Sequence, residues 1–205
     1  MATTTNQEAS VLERAAVYEL LARLWQCELT VDQLTELQQD NLRIAYEAAG
    51  GFVPRELTGE QLDQLAMDYC QLFIGPSGHL LPYQSVWSEG RFEGATTASL
   101  REYVEILEDA GNWSATSPLD HLAIQLEMMG FILTAQAHLT DESARNGNVA
   151  IAARFFHDHL AWAVPLCKAA QKRSQTEFYR TLTKLTEVFI EEESNLLSEM
   201  SHRDE

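Results

Sequence analysis

Apolar residues recur at intervals of three and four along most of the chain, and alternating stretches are nearly absent. This spacing predicts an all-α protein of six or seven helices. The clearest helix is expected from Val11 to Leu29, with Ser10 as its N-cap, because Glu13 completes a capping box three residues later. Its apolar stripe is formed by Val11, Ala15, Tyr18, Ala22, Trp25 and Leu29.

Caps and helix breakers delimit the further helices. Thr30 begins the second helix, the third begins near Thr58, and Pro118 is suited to a first helical position behind the N-cap Ser117. A turn is expected at 146–148, where the sequence reads Asn-Gly-Asn, and Pro165 indicates a kink or an end. The predicted helices cover 31–49, about 58–74, 96–110, 119–139, 149–170 and 176–200.

The segment 75–94 interrupts the helical period with several glycines and two prolines. A loop of this length inside a compact domain is more often functional than idle. Its apolar side chains cannot all remain in water, so they pack on helices or line a binding site: Leu80, Leu81, Tyr83, Val86, Trp87 and Phe92. We expect one all-helical domain over 1–205, with two halves joined by a connector near 112–117.

Charge narrows the classes of partner. The 205 residues include 31 Asp and Glu against 14 Lys and Arg, a net charge of −17 that disfavours nucleic acids and anionic lipid surfaces and favours a cationic partner. No run approaches the roughly 20 apolar residues that cross a bilayer, and the first residues do not resemble a secretion signal. We therefore expect a soluble cytoplasmic protein, with Cys27, Cys70 and Cys167 as reduced, buried thiols.

Candidate chemistry is sparse. The sequence has neither the Glu-x-x-His pairs of di-iron bundles nor a Cys-x-x-Cys zinc motif, and His157 and His159 point apart on a helix, so no metal or cofactor is expected. Asp120 and Glu127 share a predicted helix face, and Glu127 stands in an apolar run that suggests partial burial. Helix capping by Asp120 and a bond from Glu127 to an internal Tyr or His are favoured over acid–base catalysis. His121, beside Asp120, is equally expected to be structural, and no catalytic residue and no enzyme are predicted.

Three short motifs resemble those of one family. Tyr69, Leu72, Phe73 and Pro76 match Tyr-x-x-Leu-Phe-x-x-Pro, and the run 82–87 resembles Pro-Tyr-x-Ser-Val-Tyr/Trp. The run 118–122, Pro-Leu-Asp-His-Leu, is similar to the signature Glu-Pro-x-Asp-His, although Ser117 stands where the family usually has Glu. In order and spacing these motifs resemble the TorD/DmsD family of redox-enzyme maturation chaperones.

The resemblance implies a TorD-like globular multi-helix bundle that acts as a cytoplasmic chaperone. Such a chaperone binds the precursor of a molybdenum-cofactor oxidoreductase, through its twin-arginine signal peptide, its apoenzyme or both, until cofactor insertion and export. A binder of a basic, apolar signal should combine negative charge with apolar surface, and this sequence has both. The peptide-binding residues that we expect are Tyr69, Leu72, Phe73, Pro76, Pro82, Tyr83, Ser85, Val86, Trp87, Pro118, Asp120, His121 and Glu127.

Alternatives stay open at this point. Leu72, Phe73 and Val86 are equally suited to plain core packing. The same groove would also serve an acidic helical adaptor or assembly factor for a folded partner, and a helical hydrolase using Asp120, His121 and Glu127 ranks third. A hinge near 112–117 would permit a homodimer that exchanges its halves, beside a monomer.

Overall fold

The computed structural model describes residues 2–75, 77–107, 113 and 118–201, without the side chains of 2–8, 200 and 201. Within these residues the chain is helical, and strand-like pairing is confined to one isolated bridge between Tyr83 and His121. The all-α prediction is confirmed. The helices are α1 Ala2–Trp25, α2 Val31–Leu37, α3 Asp40–Ala48, α4 Gly59–Tyr69 with a π-helical turn Cys70–Ile74, α5 Gln84–Glu89, α6 Ala95–Ile106, α7 Leu122–His138, α8 Glu142–His159, α9 Ala163–Arg173 and α10 Glu177–Ser201.

The predicted helix starts at Thr30 and near Thr58 are confirmed, and each threonine is an N-cap in a capping box with a glutamine three residues later. Ser10, in contrast, lies inside α1, which begins at Ala2 and ends at Trp25, so the predicted cap and both predicted ends are wrong. The prediction of one helix over 31–49 is also wrong, because Gln39 adopts an extended backbone and separates α2 from α3.

Two further boundaries differ from the prediction. The Asn-Gly-Asn run at 146–148 is helical within α8, so the predicted turn is wrong, and the break comes instead at 160–162, between α8 and α9. Helix α7 begins at Leu122, and Pro118 lies outside it, because His121 is the N-cap and its Nδ1 accepts from the Ala123 N–H at 3.1 Å.

The chain divides into two compact units. Unit 1 comprises Met1–Gln26, Tyr83–Trp162 and Glu192–Glu205, and unit 2 comprises Cys27–Pro82 and Ala163–Glu191. These boundaries do not fall in the predicted connector near 112–117, which lies outside the described residues apart from Trp113. The single domain and the exchange of halves stay predictions.

In unit 1, α1 packs along α7. A Cβ at Gly130 of α7 would lie 3.2 Å from Glu19 Cγ and 3.5 Å from Tyr18 Cβ, so glycine permits this close approach. On another side of α1, Arg14 binds Glu193 of α10 through two hydrogen bonds of 2.7 Å, and the Tyr18 hydroxyl donates to the same carboxylate at 3.0 Å. Because burial and the Glu193 charge disfavour the phenolate, the pKa of Tyr18 is raised.

In unit 2, the Asp68 carboxylate accepts the Gln175 and Thr176 N–H groups just before α10 and supplies the cap of that helix. Near it lies a buried aromatic cluster that joins α4 to α10. Cys167 is buried, but Cys27 and Cys70 are exposed, so the prediction of three buried thiols is wrong for these two.

Candidate functional site

The predicted peptide-binding residues are divided between the two units. Unit 2 holds Tyr69, Leu72, Phe73 and Pro82, all buried. Pro76 lies outside the described residues. The remaining predicted residues belong to unit 1: Tyr83, Ser85, Val86, Trp87, Pro118, Asp120, His121 and Glu127.

The residues of the first motif form core. Tyr69 and Phe73 lie with ring centroids 5.2 Å apart, and Tyr179 of α10 lies 5.9 Å from Tyr69 and 6.4 Å from Phe73. Leu72 is fully buried, and its carbonyl accepts the Leu80 N–H. Plain packing of Leu72 and Phe73, the alternative that the sequence leaves open, therefore describes their environment in unit 2.

The segment expected to be irregular contains a short helix, α5, at Gln84–Glu89. Asp120 holds its first turn. The Asp120 carboxylate accepts the Ser85 hydroxyl and, at 3.2 Å, the Ser85 N–H, and its carbonyl accepts the Gln84 N–H at 2.9 Å. Asp120 is only 1% exposed, so the expectation that it caps its own helix is wrong: it caps α5 instead.

Next to this bond lies a cluster of half-buried rings. Tyr83 pairs with His121 through the isolated antiparallel bridge, with ring centroids 4.9 Å apart, and Phe92 lies 5.3 Å from Tyr83 and is 53% exposed. Val86 and Trp87 of α5 are also partly exposed. We call Tyr83, Val86, Trp87, Phe92 and His121 the α5 surface.

His121 is neutral. Its Nδ1 accepts the Ala123 N–H, which places the proton on Nε2. Burial lowers the pKa of His121 to about 4, and the neighbouring Asp120 carboxylate offsets this only in part. Burial, with a smaller contribution from Asp120, raises the pKa of Tyr83. The α5 surface therefore carries no positive charge from His121 at neutral pH.

A buried polar network lies behind the α5 surface. Gln84 Oε1 accepts from Gln125 Nε2 at 2.6 Å and lies 3.1 Å from His159 Nδ1, and Ser99 Oγ lies 3.0 Å from His159 Nε2. Trp162 donates to Gln125 Oε1 at 2.8 Å. Sequence reasoning missed this network, although a glutamine at 125 inside an apolar run is a signal of it. Since each of these buried polar atoms is paired, the network fixes α5 against α7 and α8.

Glu127 departs from its prediction. It is exposed rather than partly buried, and it lies beside a cavity of about 700 Å³ between α1 and α7. Pro118 is exposed as well and lies in the wall of a second cavity, of about 400 Å³, with Leu119, Thr97 and Arg101.

The described residues contain neither a candidate metal centre nor a candidate membrane span. No group of three His, Cys, Asp or Glu side chains there is placed to hold a metal ion. No described helix is long and apolar enough to cross a membrane.

Comparison with known proteins gives a consistent set of relatives. Residues 13–168 match the family model described as nitrate reductase delta subunit. Chaperone protein YcdY of Escherichia coli is 31% identical over 125 residues, which span 61% of this chain and 60% of YcdY. Chaperone protein TorD of Photobacterium profundum is 24% identical over 87% of this chain and 91% of TorD.

A crystal structure described as a putative redox enzyme maturation protein from Archaeoglobus fulgidus superimposes with a TM-score of 0.55. It is 17% identical and covers 87% of this chain and 93% of the other, which establishes similarity of fold. YcdY and TorD are both named chaperones, in agreement with the prediction of a chaperone and not an enzyme. The chain belongs to the nitrate reductase delta subunit family, and TorD and YcdY, to which it is similar, are chaperones by name.

Proposed function

We propose that this chaperone acts in the cytoplasm on the precursor of a molybdenum-cofactor oxidoreductase. It binds the twin-arginine signal peptide of that precursor at the α5 surface and holds the precursor until its cofactor is inserted. The observation that carries the proposal is the α5 surface itself: half-exposed aromatic side chains mounted on a buried Asp120–Ser85 bond. A rigid support of this kind lowers the entropic cost of ordering a binding surface.

A contact of moderate area at the α5 surface would give a reversible complex. If about 400 Å² of apolar peptide surface were buried there, the gross gain would be about 10 kcal/mol. The loss of translational and conformational freedom of a flexible peptide offsets part of that gain, which leaves an affinity in the micromolar range. Tyr83 and Trp87 are suitable anchors, because aromatic side chains with a polar atom dominate many recognition surfaces.

The negative charge of this protein favours binding of the basic part of the signal peptide. The net charge of −17 attracts an arginine-rich segment, and the neutral His121 does not repel it. Asp120 is committed to Ser85 and is closed to solvent, so exposed carboxylates have to meet the arginines. Binding should therefore weaken as salt screens these charges.

The test is a calorimetric titration of a synthetic peptide with two adjacent arginines followed by leucines and alanines. Trp87→Ala should weaken binding about tenfold or more, because truncation removes an aromatic anchor. Phe52→Ala is the matched control, since Phe52 is an exposed aromatic residue of unit 2 and should bind the peptide as the wild type does.

Unchanged affinity of Trp87→Ala would refute the α5 surface as the binding site. A pull-down with the client precursor, with and without its leader, separates the proposal from the adaptor alternative. Equal capture of both forms would show that the leader is not the target.

A further inference from the structure

The cavity of about 700 Å³ between α1 and α7 is not explained by packing within unit 1. Two small buried residues, Ala22 of α1 and Ala123 of α7, contribute to its wall and leave space between the helices. Its volume lies in the range of ligand pockets. The lining also includes Glu19, Ile124, Glu127, Phe131 and Trp113.

Trp113 gives the first indication of an occupant. Its side chain is only 4% exposed, and its ring lies against Phe131 with centroids 5.6 Å apart. The indole N–H has no hydrogen-bond partner among the described residues. Because buried donors are almost always paired and an indole nitrogen only donates, an acceptor oxygen on a bound molecule would complete the site.

Charge gives the second indication. Glu19 on α1 and Glu127 on α7 are both exposed and both line the cavity, whose other walls combine apolar side chains with Gln26 and Thr134. Arg23 lies one turn after Glu19 on the same helix, so the named lining carries two carboxylates and one guanidinium. Together with the net charge of −17, this favours a ligand that is apolar in its body and cationic at its edge.

We infer that the cavity binds an apolar segment of the client precursor flanked by arginine or lysine, with Trp113 donating to a backbone carbonyl of that segment. The inference rests on the proposed function and adds a second binding surface to it. An extended peptide supplies free carbonyls at each residue, and its apolar side chains fit against Ile124 and Phe131. Helix α7 runs about 15 Å from its N-cap His121 to Phe131, so about five extended residues reach from the α5 surface to the cavity.

The first test follows the four tryptophan indole N–H signals by ¹⁵N–¹H correlation spectroscopy. Trp113→Phe assigns its signal. On titration with the same arginine–leucine peptide, the Trp113 signal should move downfield, as a new hydrogen bond requires, while that of buried Trp25 stays in place. A peptide that binds and leaves the Trp113 signal unmoved overturns the inference.

The second test uses matched charge variants. Glu19→Gln/Glu127→Gln removes both carboxylates of the cavity, and Glu13→Gln/Glu142→Gln removes two exposed carboxylates of α1 and α8 outside it. The cavity variant should bind the peptide about tenfold more weakly, since two exposed ion pairs contribute about threefold each. The control should change affinity by less than about twofold, although both variants have the same net charge. Equal weakening by the two variants overturns the inference.

The outcomes separate the two proposals. If the wild type does not bind the peptide at all, the proposed function fails and this inference falls with it. If Trp87→Ala abolishes binding while the cavity variant binds as the control does, the cavity proposal alone fails. A peptide whose arginines are replaced by glutamines should bind the wild type as weakly as the original peptide binds the cavity variant. If Glu13→Gln/Glu142→Gln weakens binding of the original peptide and the cavity variant does not, the inference is contradicted.

Discussion

Replacing Asp120 by alanine should destabilise the protein strongly. The Asp120 carboxylate is 1% exposed and accepts both the hydroxyl and the N–H of Ser85. Hydrogen bonds to a charged acceptor contribute about 1.5–3 kcal/mol each, and Asp120→Ala leaves both Ser85 donors without an acceptor. We expect a loss of about 3–5 kcal/mol, a large fraction of the free energy of unfolding of a typical domain, which is about 5–15 kcal/mol.

The assay is urea denaturation followed by circular dichroism and by tryptophan fluorescence. Asp141→Ala is the matched control, because the Asp141 carboxylate also caps a helix by accepting the Ala144 N–H at 2.8 Å, but it is exposed. That substitution should cost about 1 kcal/mol. The double variant Asp120→Ala/Ser85→Ala should be less destabilised than the sum of its single variants by about 1–2 kcal/mol, since both remove the same bond.

An Asp120→Ala variant no less stable than Asp141→Ala would show that the buried carboxylate does not hold α5. Strict additivity of the two single variants would show that Asp120 and Ser85 act independently. Either result would also remove the rigid support on which the α5 surface depends.

Three further predictions concern unit 1. Burial holds the pKa of His121 and His159 at about 4, below the 6.5 of an exposed histidine, so the unfolded chain takes up these protons first. The free energy of unfolding should therefore fall between about pH 6.5 and pH 4 by up to about 3 kcal/mol per histidine. His121→Asn keeps a capping oxygen but cannot take up a proton, so its urea midpoint should depend less on pH than that of the wild type. Gly130→Val should cost about 2 kcal/mol in thermal denaturation, because a Cβ there meets a side chain of α1 at 3.2 Å, and unchanged stability would contradict the close packing. Glu193→Gln should cost about 3 kcal/mol, since it leaves the largely buried Arg14 without its charged partner, and a melting temperature equal to that of the wild type would refute this.

The periodic positions of the sequence were sufficient to predict the buried faces. Every member of the stripe from Val11 to Leu29 is buried, although Leu29 lies beyond the end of α1. Helix ends were predicted less well. A residue of capping type ends a helix only where the residues around it also favour a non-helical backbone. Ser10 is preceded by residues that continue the helix, and the run at 146–148 is held helical within α8 despite its poor local propensity.

The sequence motifs contain residues of the α5 surface but did not separate exposed residues from buried ones. Asp120 and His121 are neighbours in sequence, yet one is closed to solvent and bonds α5 while the other caps α7 and contacts Tyr83. The residues that Asp120 and His121 contact, such as Ser85 and Tyr83, are far from them in the sequence, and tertiary packing decides which residues pair. The exposure of Glu127 was predicted wrongly for the same reason: its neighbours Leu126 and Met128 are fully buried, but Glu127 borders the open space between α1 and α7.

The bond between Arg14 and Glu193 joins residues 179 positions apart, and it has a consequence for synthesis of the protein. A ribosome adds about 5–20 residues per second, so Arg14 emerges many seconds before its partner exists. During that interval the Arg14 guanidinium lacks its carboxylate, and the apolar stripe of α1 is uncovered until α7 has been made. In the nascent protein, Arg14 is therefore open to pairing with other carboxylates until translation is almost finished, and slowing elongation before residue 193 should lengthen that interval.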